Sequence, residues 1–227
     1  MASEERFERD YFETCYRNYA RQNPPRKLRF YRELAERAAL GIQRPRILDV
    51  GCAFGGFLSA LDPQWQRFGA DVSEFATGVA RRAIPDATFV RADVTDIHFP
   101  GRFDVITAFD VIEHFRGLDE AASAIRAKLT CGGHFIFVVP VYDGPTGSVV
   151  RLLDKDHTHV QRRSRRFWLR WTKQNFVLRE WWGIYRYLFP GGFYLHLPTQ
   201  VWRRFTPAIA VMARHEGYQA EGAERNA

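Results

Sequence analysis

The sequence has no apolar run approaching the ~20 residues of a membrane span. Its opening, MASEERFERDYF, is charged and lacks the apolar stretch of a secretory signal. It holds only three cysteines, Cys15, Cys52 and Cys131, far apart and without metal-ligand spacing. So sparse and odd a set speaks against a disulfide framework or a cysteine-based zinc site, and favours reduced thiols and a cytoplasmic location. The dinucleotide fingerprint G-x-G-x-x-G and any recognisable RNA-binding module are also absent. What is there suits a soluble globular chain: 227 residues, 46% hydrophobic and 26% charged, enough for one α/β domain with a full core. The net charge of +7 is compatible with an anionic substrate, a nucleic acid or a membrane surface, and equally with arginine-rich usage alone.

The chain is organised around ILDVGCAFGGFL, residues 47–58. Ile47, Leu48 and Val50 read as a buried parallel strand. Asp49 lies inside that run, where a carboxylate is costly unless it finds partners. Gly51, Gly55 and Gly56 allow a tight turn and close approach to a ligand. Phe57, Leu58 and Leu61 then restart the apolar pattern at helical spacing. Backbone N–H groups of such a turn can hold a nucleotide-like ligand. The stretch resembles motif I of class I S-adenosylmethionine-dependent methyltransferases, D/E-x-G-x-G-x-G, with Ala53 at the middle glycine, a replacement that still leaves room for the ligand. The resemblance places Asp49, Gly51, Cys52, Ala53 and Gly55 against the cofactor, S-adenosylmethionine, whose product is S-adenosylhomocysteine.

Further signals follow at the expected separations. Residues 67–72 form a second strand, and Asp71 stands 20 residues after Gly51, placed with Val72 to meet ribose hydroxyls. After a third strand, 87–91, the resemblance gives Asp93 to the adenine amino group and Val94 to the ring, with Asp96 the weaker competitor. FDVITAFDVIEHF, residues 103–115, contains a buried strand through Val105, Ile106 and Ala108. It closely resembles the fourth-strand segment of methyltransferases that O-methylate ubiquinone precursors, where the residues after the strand, here Phe109 and Asp110, line the methyl donor. A helix over 118–130, a turn at Cys131–Gly133 and a strand over 134–141 complete the similarity, which spans about residues 45–141.

Outside that span the pattern is thinner. Phe7, Tyr11, Phe12, Cys15, Tyr16 and Tyr19 lie on one helical face, and a second helix runs from about 27 to 40. Residues 1–40 either cover a sheet edge or form a lid in which Tyr11, Tyr16 or Tyr19 touches ligand. After 141 we expect a loop over 142–163, a basic helix over 164–174, a strand over 176–187, a loop over 188–206 and a last strand over 208–214. The expected architecture is a Rossmann-like α/β domain, residues 41–227, with a seven-stranded, mostly parallel sheet and helices on both faces.

For an alcohol or phenol acceptor a base helps remove the proton. His114, just past strand four, is the first candidate; His157 and His159 are rivals on the same edge, and a purely structural His114 is the alternative. Asp110, Glu113 and His114 stand at i, i+3 and i+4 and could join His157 around a divalent cation. The same pattern occurs in metal-free relatives, and no resident metal is assigned. Arg162, Arg163, Arg165, Arg166 and Arg170, with Phe167, Trp168 and Trp171, read as an anion-binding or peripheral membrane surface, or as an amphipathic helix with a solvated basic face. The expected activity is methyl transfer to oxygen of a small molecule, anionic or lipid- or sugar-linked. The alternatives are a metal-assisted RNA ribose methyltransferase and a catalytically silent S-adenosylmethionine-binding protein; nucleic acid is the less favoured partner.

Overall fold

The computed structural model describes residues 9–14, 19–154, 156–188 and 193–217. Three helices precede the sheet: α1 (Arg9–Thr14), α2 (Tyr19–Gln22) and α3 (Pro25–Ala38). Pro25 suits the first turn of α3, where its missing N–H would have no helical partner. Tyr16 lies outside the described residues, so its expected ligand contact goes with it.

The strands are β1 (Arg46–Val50), β2 (Gln66–Asp71), β3 (Thr88–Arg91), β4 (Phe103–Phe109), β5 (Leu129–Pro140), β6 (Val177–Leu188), β7 (Tyr194–Thr199) and β8 (Ala208–Arg214). They form one sheet in the order β3-β2-β1-β4-β5-β8-β6-β7. The pairs from β3 to β5 are parallel, and β8 enters antiparallel between β5 and β6. The remaining helices are α4 (Gly56–Ser59), α5 (Glu74–Ala83), α6 (Leu118–Lys128), α7 (Gly147–Leu153) and α8 (Arg165–Asn175).

Successive strand residues point to opposite faces, and both faces are covered. Ile47, Val105 and Ile136 join the core beneath α3, with Tyr31 and Leu34, while Leu48, Ile106 and Phe135 join the core that holds Trp168 of α8. This double burial explains the near-continuous apolar runs of β1, β4 and β5. The chain leaves β1 toward β2 and β3, then returns to β4 on the other side of β1. The crevice at the carboxyl ends of β1 and β4 is thus a switch point, where open α/β sheets bind ligands.

Three expectations change. The sheet has eight strands, because β7 forms within the stretch read as loop over 188–206 and pairs antiparallel with β6. Residues 142–163 contain α7. In the 162–171 segment, Trp168 and Trp171 are buried in the core, and the Arg165 guanidinium donates to the carbonyl oxygens of Arg204 (2.7 Å) and Thr206 (2.6 Å). The tryptophans of that helix therefore serve packing and do not face solvent.

Candidate active site

The β1–α4 turn is shaped by close approach. Gly51 has φ +69°, and a Cβ there would lie 2.3 Å from a Val111 methyl. Gly55 is also left-handed, at φ +76°, and a Cβ would meet Ile84 at 2.7 Å. Only glycine meets both demands. Ala53 between them takes φ +46°, a left-handed conformation that an L side chain resists. That strain is the physical sense of the glycine that the motif places there. Asp71, at the end of β2, accepts from Ala53 N–H at 2.9 Å and from Ser73 N–H at 3.0 Å. One buried carboxylate thus ties the glycine turn to the start of α5.

A cavity of about 410 Å³ opens beside this turn, lined by Gly51, Ala53, Asp71, Val72, Asp93 and Val94 among others. Asp93 Oδ1 accepts from Thr95 N–H (3.0 Å) and Thr95 Oγ1 (2.7 Å), capping a 3₁₀ turn while the side chain faces the cavity. Tyr11 and Phe12 of α1 close the cavity's outer side; Phe12 is buried against Phe54 and Phe75.

A second cavity, of about 450 Å³, adjoins the first through Gly51, Ala53, Asp110, Val111 and His114, which line both. Its walls include Asp49, Cys52, Phe109, Glu113, Asp154, Asp156, His159 and Arg186, with Tyr19 of α2, whose hydroxyl accepts from Gly56 N–H at 3.2 Å. Asp49 finds its partner in Thr107, which donates at 2.7 Å, yet burial still pushes its carboxyl up to about 7, with Asp71 adding to the effect. Asp110 sits at φ +59°. Burial opposes its ionisation, but Arg186 and Lys27, the latter at 3.6 Å, hold it down at about 2.

The β4 end and the loop after α7 meet here. The Glu113 carbonyl accepts from Val160 N–H (3.1 Å) and Gln161 N–H (2.8 Å), joining the two segments. Thr158 Oγ1 lies 2.9 Å from His114 Nδ1 and makes a short bond to Asp156. A hydroxyl has one proton; given to Asp156, it leaves the oxygen to accept from His114 Nδ1–H, so His114 carries its lone pair on Nε2. Burial, then the neighbouring His159, lower the His114 pKa and keep the ring neutral near pH 7. His159 Nδ1 lies 2.9 Å from Asp154, while its Nε2 faces Asp156 at 3.8 Å and Glu113 at 4.0 Å. Glu113 is 1% exposed, and among the described residues neither of its carboxylate oxygens has a hydrogen-bond partner. Burial, then Asp110, raise its pKa well above the usual carboxylate range.

All the cofactor-side residues expected from sequence line one or both cavities except Gly55, which shapes the turn behind them. The candidate cation set changes. Asp110 is engaged by Arg186 and Lys27, and His157 is exposed and lines neither cavity. The residues that converge are Glu113, His114 and His159, whose ligand atoms lie within 4.8 Å of one another. Sequence reading missed Arg186, Lys27, Asp154 and Thr158. An Asp-x-Asp-His-Thr-His run at 154–159 was visible in part, but nothing local marked which histidine turns inward.

A family profile described as "Methyltransferase domain" matches residues 19–178, most of the chain. The chain belongs to that family. Its fold is that of the S-adenosylmethionine-dependent methyltransferases of class I. A search of curated proteins finds no match. Among solved structures, an S-adenosylmethionine-dependent methyltransferase from Clostridium acetobutylicum superposes with a TM-score of 0.66 at 14% identity, covering 90% of this chain and 100% of that one. The plantazolicin methyltransferase BpumL, solved with a desmethyl substrate analogue and S-adenosylhomocysteine, gives 0.63 at 16% identity, covering 89% and 90%. The [4+2]-cyclase SpnF gives 0.63 at 19% identity, covering 84% and 81%. Likeness at these identities concerns the fold and leaves the acceptor open. Among the described residues no helix is long and apolar enough to cross a membrane.

Proposed function

We propose that this methyltransferase acts on a hydroxyl oxygen of a small molecule, free or linked to a lipid or sugar, with His114 as the base. The observation that carries this reading is the His114 ring, held through Nδ1 by Thr158 and Asp156 so that neutral Nε2 is the basic atom where the two cavities join. Bound S-adenosylmethionine supplies a sulfonium methyl group that is electrophilic without further activation. The residues to hold it are the Gly51–Gly55 turn, Asp71, Asp93 and Val94 on the adenosine side, with Asp49 and Asp110 nearer the junction. Fixing the acceptor beside His114 supplies orientation, and α1 and α2, through Tyr11, Phe12 and Tyr19, act as a lid that excludes water. Free Cys52 and Cys131 fit a reducing cytoplasm.

A second reading rests on Glu113. A buried carboxyl with no hydrogen-bond partner among the described residues, with His159 Nε2 at 4.0 Å and His114 beside it, fits a divalent cation held by Glu113, His114 and His159, with Asp154 behind His159. His114 would then be a ligand instead of the base, and the acceptor would include ribose-type hydroxyls. One experiment separates these readings: S-adenosylhomocysteine release with a panel of phenols and alcohols, by wild type and His114→Ala, with and without EDTA. A base role predicts a loss of about 10²–10³-fold in His114→Ala, insensitivity of wild type to EDTA, and unchanged S-adenosylhomocysteine affinity. Abolition of wild-type turnover by EDTA replaces the base with the cation. Binding without turnover on any acceptor would mark a silent binding protein.

A further inference from the structure

Charge is distributed unevenly along this chain. Residues 160–214 carry eleven lysines and arginines and a single acid, Glu180, so the remainder has a slight acidic balance despite the overall +7. Glu180 is itself engaged by Arg37 at 2.8 Å. Arg162, Arg163, Arg166, Arg170, Lys173 and Arg204 are exposed.

Beside these cations lies a group of large apolar side chains in water. Val201 is 84% exposed, Trp202 61% and Phe205 45%, at the 3₁₀ turn Arg203–Phe205 before β8; Leu152 on α7 is 80% exposed. The turn is firmly held. Buried Arg165 bonds the Arg204 and Thr206 carbonyls, the Arg203 guanidinium stacks over Trp181 at 4.2 Å, and Trp202 and Phe205 lie 6.1 Å apart. The N-terminal end of α7 is adjacent, since Thr146 Oγ1 reaches the Phe205 carbonyl at 3.5 Å, and Leu152 lies six residues further along that element. Single exposed apolar residues are ordinary, but a firmly held group of them beside a strongly basic segment, with Asp143 engaged by Arg165, marks a contact surface.

The chemistry selects the occupant. Pro198 on edge strand β7 blunts pairing with another strand. Trp202 and Phe205 are rings on which bases could also stack, but aliphatic Val201 and Leu152 gain nothing from bases and gain from acyl chains, which favours a bilayer and leaves nucleic acid as the competitor for the test. A tryptophan with neighbouring aliphatic groups and a surrounding field of arginines matches the headgroup layer of an acidic bilayer. We propose that the surface formed by Leu152, Val201, Trp202 and Phe205, with Arg204 and the exposed arginines of α8 around it, docks on an anionic lipid bilayer, with the apolar side chains entering at headgroup depth. This inference is independent of the acceptor atom and of the role of His114.

The test is co-sedimentation of the full chain with vesicles of phosphatidylglycerol and phosphatidylcholine in equal parts, against phosphatidylcholine alone. Partition onto the acidic vesicles should be stronger by about tenfold or more and weaken with salt. The double variant Trp202→Ser with Phe205→Ser should lose about tenfold of that partition while its melting temperature and S-adenosylhomocysteine affinity stay at the wild-type level. Arg204→Glu, which leaves the rings in place, should weaken binding to the acidic vesicles alone. Equal partition onto both vesicle types, wild-type partition by the double variant, or complete displacement by single-stranded RNA would overturn the proposal, the last in favour of a nucleic-acid surface.

Discussion

The two halves of the cavity are built differently. On the side that we assign to adenosine, the other being assigned to the acceptor, the backbone of one short turn does most of the shaping, and Asp71 accepts from the N–H groups of Ala53 and Ser73. On the acceptor side, the wall is made of ionisable side chains from separate parts of the chain: Lys27, Asp110, Glu113, Asp154, Asp156, His159 and Arg186. The first half suits one ligand and tolerates little change. The second is a charged chamber whose protonation depends on burial and on mutual contacts, so its chemistry can be altered one side chain at a time.

Breaking the donor half should have the larger effects. Asp49, assigned to the donor though it lies on the wall of the second cavity, has its carboxyl raised to about 7 by burial, against ~3.9 in the unfolded chain. The folded state therefore binds the extra proton between these values, and stability declines as pH rises from ~4 to ~7, by at most about 4 kcal/mol. Asp49→Asn should flatten that slope in urea midpoints measured across the range; an unchanged slope would place the titration elsewhere. Asp71→Ala removes the anchor of Ala53 and Ser73 as well as the ribose partner, and calorimetry should show S-adenosylhomocysteine affinity down by about 100-fold. Affinity within about threefold of wild type would dissolve the contrast between the halves.

The acceptor half should respond in rate and not in donor affinity. Thr158→Val takes away the acceptor for His114 Nδ1–H, and turnover should fall by about tenfold. A hydroxyl that accepts from Nδ1–H favours the protonated ring, so losing it should also move the acidic limb of the rate profile to lower pH, while the Thr158 backbone and the Asp156 charge, which favour protonation too, stay in place. The smallest effect belongs to the turn: Ala53→Gly should raise stability by about 0.5–1 kcal/mol, because it relieves the left-handed alanine at a partly offsetting entropy cost. A loss of stability in thermal melts would show that the Ala53 methyl packs more usefully than its backbone suffers.

The same contrast decides how much was legible in the sequence. Gly51, Asp71 and Asp93 could be read because strand ends, turn and acids recur at fixed separations along a parallel sheet. His114 was readable for the same reason. The pairing of Asp110 with Arg186 spans 76 residues and leaves no local trace. His157 and His159 share one short run, and only the fold shows that the second turns toward Glu113. β7 escaped notice because glycines precede it and Pro198 interrupts it, while α7 is short and lies in a stretch of turn-forming residues. Arg165 looked like surface charge, yet its guanidinium satisfies buried carbonyls, a role that helical periodicity alone does not reveal.

The Glu113 carbonyl, with its two bonds from Val160 and Gln161, has a consequence for how such a protein can diversify. It fastens the far end of the 142–159 excursion directly to the segment that carries His114. The part of it before Asp154, α7 included, can be lengthened, shortened or exchanged while Asp154, Asp156 and Thr158 keep the paired histidines in place. On the proposed function, a lineage can thus try new acceptors by editing one loop, with the paired histidines inherited intact.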